Sequence, residues 1–330
     1  MNKKGIAIAG IIVVDVGFEI DGYPRKGNLS KISDQILSTG GASNISIDLA
    51  RLDKELPIKI SGIVGDDEHG QFIRERLGVY PNINQNQMHH RGRTSTTYVM
   101  TERDTKERTF FFDPGSSAGY SIDDVDFAAL DTDFLVLEYL LSLEHLDQPH
   151  EVYGTNSGEF LAKAQAKGIR TFVDVISEEN PERYETLVKP ALKYVDCIII
   201  NEVEAGFLVG ESLDENGVID QAKMYDALEL IRQMGVSTWV VVHSPSFAFG
   251  LDCQTGEKFT IPTSKLPEGF IQGTVGAGDA FAAGVVYAAY IGKPIEEALR
   301  AGVQCASRSL SKPDSNSGVV DYHTMMNELI

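Results

Sequence analysis

Residues 272–284, QGTVGAGDAFAAG, run a glycine-rich turn into a stretch of small residues that reads as a helix. Glycines at 276 and 278 let the backbone come close to a ligand, and the first unpaired amides of the helix point into that space. Together with the helix dipole they make an anion pocket, formed by the backbone of Gly276, Ala277 and Gly278. Asp279 follows in the first turn, where the dipole favours an ionised carboxylate. The arrangement suits phosphoryl transfer: the amides stabilise charge on the moving group while the carboxylate takes the proton of an attacking hydroxyl. Spacing alone leaves a second reading open, in which Asp279 only caps the helix. The other phosphate-handling patterns are missing. Gly276, Gly278 and Gly284 do not form GxGxxG, and there is neither a GxxxxGK[ST] loop nor an HRD and DFG set.

Such a turn must be held by a rigid layer, and the rest of the chain supplies one. Short β-branched runs alternate with longer amphipathic segments, the form of a parallel sheet covered by helices. The runs predict strands over Gly5 to Val14, Ile58 to Val64, Phe134 to Leu137, Ile169 to Val175, Val195 to Ile200 and Thr238 to Val242. Helices are predicted over Ser43 to Leu52, Gly70 to Leu77, Gly158 to Lys167, Gln221 to Met234, Ala277 to Tyr290 and Ile295 to Leu310. In the first helix Ile45, Leu49 and Leu52 share one face. Val16 to Leu37 and Thr94 to Asp113 break the alternation and read as hairpins. They either pair into a small sheet covering the main domain or stand as two unrelated surface hairpins. No repeat or linker-like segment divides the chain, so residues 1–330 are expected to form one domain, with lid strands inserted at about 16–38 and 92–116.

Composition narrows the partners. With 29 Lys+Arg against 48 Asp+Glu the formal charge is −19, which repels nucleic acid and anionic membrane surfaces. The same field opposes ATP, so a phosphate site must be built locally from amides, helix ends and a metal. The three cysteines, Cys197, Cys253 and Cys305, form no CxxC pair and suggest neither a disulfide framework nor a zinc site. A reducing, cytoplasmic setting is expected. Two lysines precede the first apolar stretch, but Asp15 and Glu19 interrupt it, so it reads as a buried strand rather than a leader. No apolar run reaches the roughly 18 residues of a membrane span.

The 272–284 segment resembles the late DTxGAGD motif of the ribokinase-like PfkB carbohydrate kinase family, and the resemblance extends over nearly the whole chain. Gly10 and Asp15 look like the family's first strand and its sugar-binding acid. Gly40, Gly41 and Asn44 in GGASN resemble its early GG motif, and Gly62 to Gly70 resembles its structural VGDDxxG segment. Asn201 and Glu204 in NEVE resemble its NxxE motif. The resemblance implies a three-layer α/β/α core with a small β-sheet lid, Mg-ATP as donor and a sugar-like acceptor. It further implies Asp279 as base, Asp15, Gly40, Gly41 and Asn44 around the acceptor, and Asn201, Glu204 and Thr274 near the phosphates. Glu204 would act on Mg²⁺ through water.

Each borrowed role has a plainer competitor: a strand end for Asp15, a helix start for Asn44 and a first-turn acid for Glu204. Asp174 matches only the acid of a family segment that usually continues with Asn and Arg. Three departures stand out. Gly273 replaces an Asp linked to a monovalent-cation site, leaving potassium dependence open. His243 to Gly250, with Pro245, replaces a small TxGxxG turn, and the GG motif is one residue short. Arg91, Arg93 and Arg103 either meet an anionic acceptor or form a solvated rim. Two rival readings are a nucleoside kinase and a sugar sensor that has lost turnover. Lid strands need cover, so a homodimer pairing lid to lid is expected.

Overall fold

The computed structural model describes residues 4–105, 107–215 and 217–328. Its first half runs β1 (Ile6–Gly10), β2 (Ile12–Ile20), β3 (Ile32–Gly41), α1 (Ala42–Leu52), β4 (Ile58–Val64), α2 (Glu68–Gly78) and β5 (Ile83–His90). Next come β6 (Ser95–Glu102), β7 (Arg108–Asp113), β8 (Phe134–Leu140), α3 (Asn156–Ala166), β9 (Arg170–Val175), β10 (Cys197–Asn201) and α4 (Glu202–Val209). The last part contains α5 (Gln221–Gln233), β11 (Trp239–His243), β12 (Phe247–Asp252), β13 (Lys258–Pro262), α6 (Ala277–Tyr290) and α7 (Ile295–Ser309).

Nine strands form the central sheet in the order β13-β12-β11-β10-β9-β8-β1-β4-β5. The strands from β11 to β5 pair in parallel, and β12 and β13 add an antiparallel edge. Parallel strands buried on both faces read as continuous apolar runs, which is why IAIAG is buried throughout. Alternate residues feed opposite layers. Ile6 and Ile8 face α1, α6 and α7, through residues such as Leu49, Phe281 and Leu299. Ala7 and Ala9 face α3, α4 and α5, through Phe160, Leu208 and Leu228. The small residues of α6 let it lie close to α7: a Cβ on Gly284 would sit 2.6 Å from the Ala301 carbonyl oxygen.

The predicted strand Gly5 to Val14 is broken in the structure. Gly10 has φ +125°, and a Cβ there would sit 1.7 Å from the Glu138 carbonyl oxygen. The chain leaves the central sheet at that bend, Ile11 donates to the Glu138 carbonyl at 2.6 Å, and Ile12 opens a second sheet. This four-stranded sheet has the order β3-β2-β6-β7. Its outer pairs are antiparallel, and β2 runs parallel to β6. Asp67 ties it to the core by capping α2 at Gly70 (2.8 Å) while accepting from the Thr94 amide (2.7 Å). The β12–β13 hairpin and β5 lie outside the predicted strand set. No helix among the described residues is long and apolar enough to cross a membrane.

Candidate active site

Parallel strands deliver their carboxyl ends to one edge of the sheet, and the polar residues at those ends meet there. Gly10, Glu138, Asp174, Asn201 and His243 end or nearly end β1, β8, β9, β10 and β11. The 272–284 turn closes over this edge. Gly276 takes φ +76°, and a Cβ on it would press to 2.6 Å from Ser315 Cβ, so only glycine fits. A Cβ on Gly278 would meet only the His243 ring, at 3.7 Å, which leaves the opening of α6 accessible. Two cavities, of about 440 and 620 Å³, share Asn201, His243, Thr274, Ala277 and Gly278. The first is bounded by Asp15, Gly40, Gly41, Tyr139 and Asp279, and the second runs between the β12 edge and α7.

Asp279 is 7 % exposed and uses both carboxylate oxygens: Asn44 Nδ2 donates to Oδ2 at 2.6 Å, and the Tyr139 hydroxyl donates to Oδ1. Burial pushes its pKa above the ordinary carboxylate value, and the bonds from Tyr139 and Asn44 oppose that rise. Besides the helix dipole, these two donors favour the charged form. Asn44 Oδ1 accepts from Thr39 Oγ1 at 2.7 Å, which fixes the amide with its nitrogen toward Asp279. Asn44 is buried behind the base and does not line the first cavity.

Asp15 does line it. Burial, then the charge of Asp279, raise its pKa to about 7, against a hydrogen bond from Thr97 and the Arg108 guanidinium. Gly41 has φ +59°, and a Cβ on Gly40 would lie 3.1 Å from Asp15 Oδ2, so the pair keeps the Asp15 carboxylate clear. Thr274 borders both cavities. Gly273 packs against the Lys312 and Pro313 carbonyls, where a Cβ would sit within 2.9 Å of both oxygens.

Asn201 caps α4 through Val203 and Glu204 (both 2.9 Å). Glu204 answers by accepting from the Asn201 amide (2.8 Å), Asn201 Nδ2 (2.6 Å) and Ser177 Oγ (2.6 Å). Burial raises the Glu204 pKa to about 7, the Ser177 and Asn201 bonds opposing. Its oxygens are thus largely committed to the helix cap. Glu138, absent from the sequence-derived site, is fully buried; the Tyr139 side chain is a favourable neighbour, but neither carboxylate oxygen has a well-formed hydrogen bond among the described residues. Burial and the neighbouring Asp279 push its pKa well up. Ligand atoms of Glu138, Asp174 and Asp279 lie within 4.8 Å of one another. Orphaned buried carboxylate oxygens are costly unless a cation or proton compensates, and an all-oxygen set fits a hard divalent ion. Glu138 and Asp174 would hold it more directly than Glu204. The available signal was a lone acid ending the apolar run FLVLE.

His243 ends β11 in register with Asn201 and packs on Phe281, ring centroids 4.8 Å apart. Burial lowers its pKa to about 4, so it is neutral. Ser244, ahead of Pro245, accepts from the Phe247 amide at 3.0 Å and sets the unusual turn into β12. In and before the second hairpin, Arg91 pairs with Asp124 (2.7 Å), Arg93 with Asp113 (2.7 Å), and Arg103 with Asp21 (2.8 Å). They form a rim. Arg108 faces the cavity instead, beside Phe110 and Phe112 on the same side of β7, and no carboxylate among the described residues lies within ion-pair distance of it. Its role depends on which face of β7 points inward, which charge patterning alone does not reveal.

Comparisons with known proteins agree with this architecture. Ribokinase from Giardia lamblia superposes with a TM-score of 0.81 at 19% identity, covering 99% of this chain and 100% of that one. Arabidopsis thaliana ribokinase, solved with ribose and ATP, gives a TM-score of 0.77 at 21% identity, covering 98% of each chain. At these identities the likeness concerns the fold. An adenosine kinase from Schizophyllum commune is 28% identical over 166 residues, 47% of this chain and 46% of that protein, so the match spans about half the length of the relative. The model of pfkB family carbohydrate kinases matches residues 3–321, and over that span the chain is a member of the family.

Proposed function

We propose that the chain transfers the γ-phosphoryl group of ATP to a hydroxyl of a small sugar or sugar-like acceptor, with Asp279 as general base. The observation that carries this reading is the position of Asp279 and the opening amides of α6 where two cavities meet. The acceptor occupies the first cavity, where the Asp15 carboxylate accepts its hydroxyl protons. The nucleotide occupies the second, with its terminal phosphate at Thr274, Ala277 and Gly278. Asp279 takes the proton of the attacking hydroxyl as that oxygen bonds to the γ-phosphorus. The bond from phosphorus to the β–γ bridging oxygen breaks, and ADP leaves with the electron pair. Magnesium, held by Glu138 and Asp174 with Glu204 nearby, would supply charge neutralisation on the phosphate oxygens.

The cavity lining favours a neutral polyhydroxylated acceptor over a sugar acid or phosphosugar. Asp15, Asp174, Glu204 and Asp279 share the cavity with one guanidinium, Arg108, so hydroxyls find several oxygen partners while an added anion finds a single cationic one. A nucleoside is the second reading, favoured by Phe110 and Phe112, whose rings offer a stacking surface on the cavity's lid side. ADP release measured over sugars, polyols, sugar acids and nucleosides, with Mg²⁺ and with or without potassium, separates these. No acceptor-dependent release from any compound would leave a binding sensor as the surviving reading. The outer face of the small sheet exposes Leu37, Tyr98 and Phe111, with Tyr98 and Phe111 paired across strands. That apolar row supports a homodimer joined lid to lid, and the three free cysteines support a cytoplasmic setting.

A further inference from the structure

We infer that Tyr139 is a positioning residue that occupies the base while the acceptor is absent, and so suppresses phosphoryl transfer to water. The inference rests on the reading of Asp279 as base. A catalytic carboxylate beside bound ATP has a standing competitor for the acceptor, because water at tens of molar concentration can take the acceptor's place. In this chain the two oxygens of Asp279 face different surroundings. Oδ2 is held by the amide of Asn44, which is buried and does not border the cavity. Oδ1 is held by the hydroxyl of Tyr139, a half-buried residue that does border it. The oxygen available to a reacting hydroxyl is thus the one that Tyr139 already covers. Tyr139 itself is anchored through its backbone, with Ser142 Oγ donating to its carbonyl at 2.8 Å, so the ring projects from a fixed point at the end of β8.

An acceptor seated on Asp15 and Gly40 brings its hydroxyl to Oδ1 with the binding contacts needed to displace a phenol. A lone water has no such contacts. Removing the phenol oxygen opens Oδ1 to water: the water oxygen bonds to the γ-phosphorus, its proton passes to Asp279, the bond to the bridging oxygen breaks, and ADP and inorganic phosphate leave.

The test needs no knowledge of the acceptor. The full chain with Mg²⁺ and ATP alone is assayed for ADP release, in wild type, Tyr139→Phe, Asp279→Asn and the double variant, with melting curves to confirm folding. Tyr139→Phe should raise acceptor-independent hydrolysis about tenfold, the rate equivalent of one hydrogen bond to a charged group. The double variant should fall back to the wild-type level or below, since the gain requires the base. Should Phe fold poorly, Tyr139→Leu gives the same rise. Unchanged hydrolysis in Tyr139→Phe, or a double variant as fast as Tyr139→Phe, overturns the inference. The base assignment is read separately: if Asp279→Asn abolishes transfer to an acceptor but Tyr139→Phe does not raise hydrolysis, only the role of Tyr139 is lost.

Discussion

Asn44 and Asp279 lie 235 positions apart in sequence, yet the amide nitrogen of one donates to the carboxylate of the other at 2.6 Å in a buried setting. The pair joins the start of α1 to the start of α6, so the two motif segments that flank the site are one polar unit. Its orientation is set from behind. Thr39 holds the Asn44 oxygen, and Asn316 Nδ2 donates both to the Asn44 carbonyl (3.2 Å) and to Asp48 Oδ1 (2.8 Å). A base held in this way has a fixed orientation, and the bond from Asn44 opposes the rise in pKa that burial causes.

Asn44→Ala should therefore lower kcat about tenfold and leave the acceptor KM within about twofold, because the amide acts on the base and not on the cavity. The Thr39 hydroxyl keeps Asn316 Oδ1 as acceptor (3.1 Å), but the buried Oδ2 of Asp279 would lose its donor, costing about 1–3 kcal/mol of stability in a urea titration. Steady-state kinetics over the acceptor found by ADP release checks the split. A large rise in KM at constant kcat would instead put Asn44 on the acceptor.

Asp279→Asn should lower kcat by about 10² to 10⁴ while ATP still binds, measured by calorimetry against wild type. Burial already raises the pKa of this acid. The neutral isostere therefore removes a buried charge, and the melting temperature should hold or rise. A variant with near-normal turnover would remove Asp279 as the base.

Local pattern carried the frame of the site. The helix over Ala277–Tyr290 is legible to the residue because glycine punctuation precedes a run of small apolar residues. The central strands are legible because burial on both faces makes them uniformly apolar. The break at Gly10 is hidden inside such a run: only the approach of the Glu138 carbonyl forces the bend. Glu138, Tyr139 and Arg108 escaped notice for a related reason. Their chemistry comes from what faces them across the fold, and no spacing along the chain encodes that. Asn44 was legible as a polar residue beside two glycines, whereas its bond to Asp279 depends on α1 and α6 packing side by side.

Asp15 links stability to pH. Its folded pKa of about 7 lies above the 3.8 of an unperturbed aspartate, so the folded state holds its proton more tightly than the unfolded one. The stability this contributes is present in full below pH 3.8 and is lost progressively as pH rises to about 7. Asp15→Asn should accordingly melt higher than wild type at pH 8, with the difference shrinking toward pH 4, as followed by calorimetry. Acceptor binding moves the other way, since the ionised Asp15 is what accepts hydroxyls. Wild-type affinity should climb through pH 7, and the Asn variant should lose that dependence.

The four arginines of the second hairpin region should separate cleanly by substitution. Arg91, Arg93 and Arg103 each hold a partner at the surface, at side-chain exposures of 48%, 71% and 45%, and exposed pairs contribute about 0–1 kcal/mol. Alanine at any of them should leave acceptor KM within about twofold. Arg108 has no carboxylate partner among the described residues and stands over the first cavity, where its charge opposes the rise in the Asp15 pKa. Arg108→Ala should thus act in two ways, removing a donor from the acceptor and making Asp15 harder to ionise. The expected result is a rise in acceptor KM of about tenfold at pH 7, partly recovered at pH 8.5 where Asp15 ionises in either background. Lys at this position restores the charge without the planar fork, so a KM that Lys rescues assigns Arg108 to electrostatics, and one that it does not rescue assigns it to geometry.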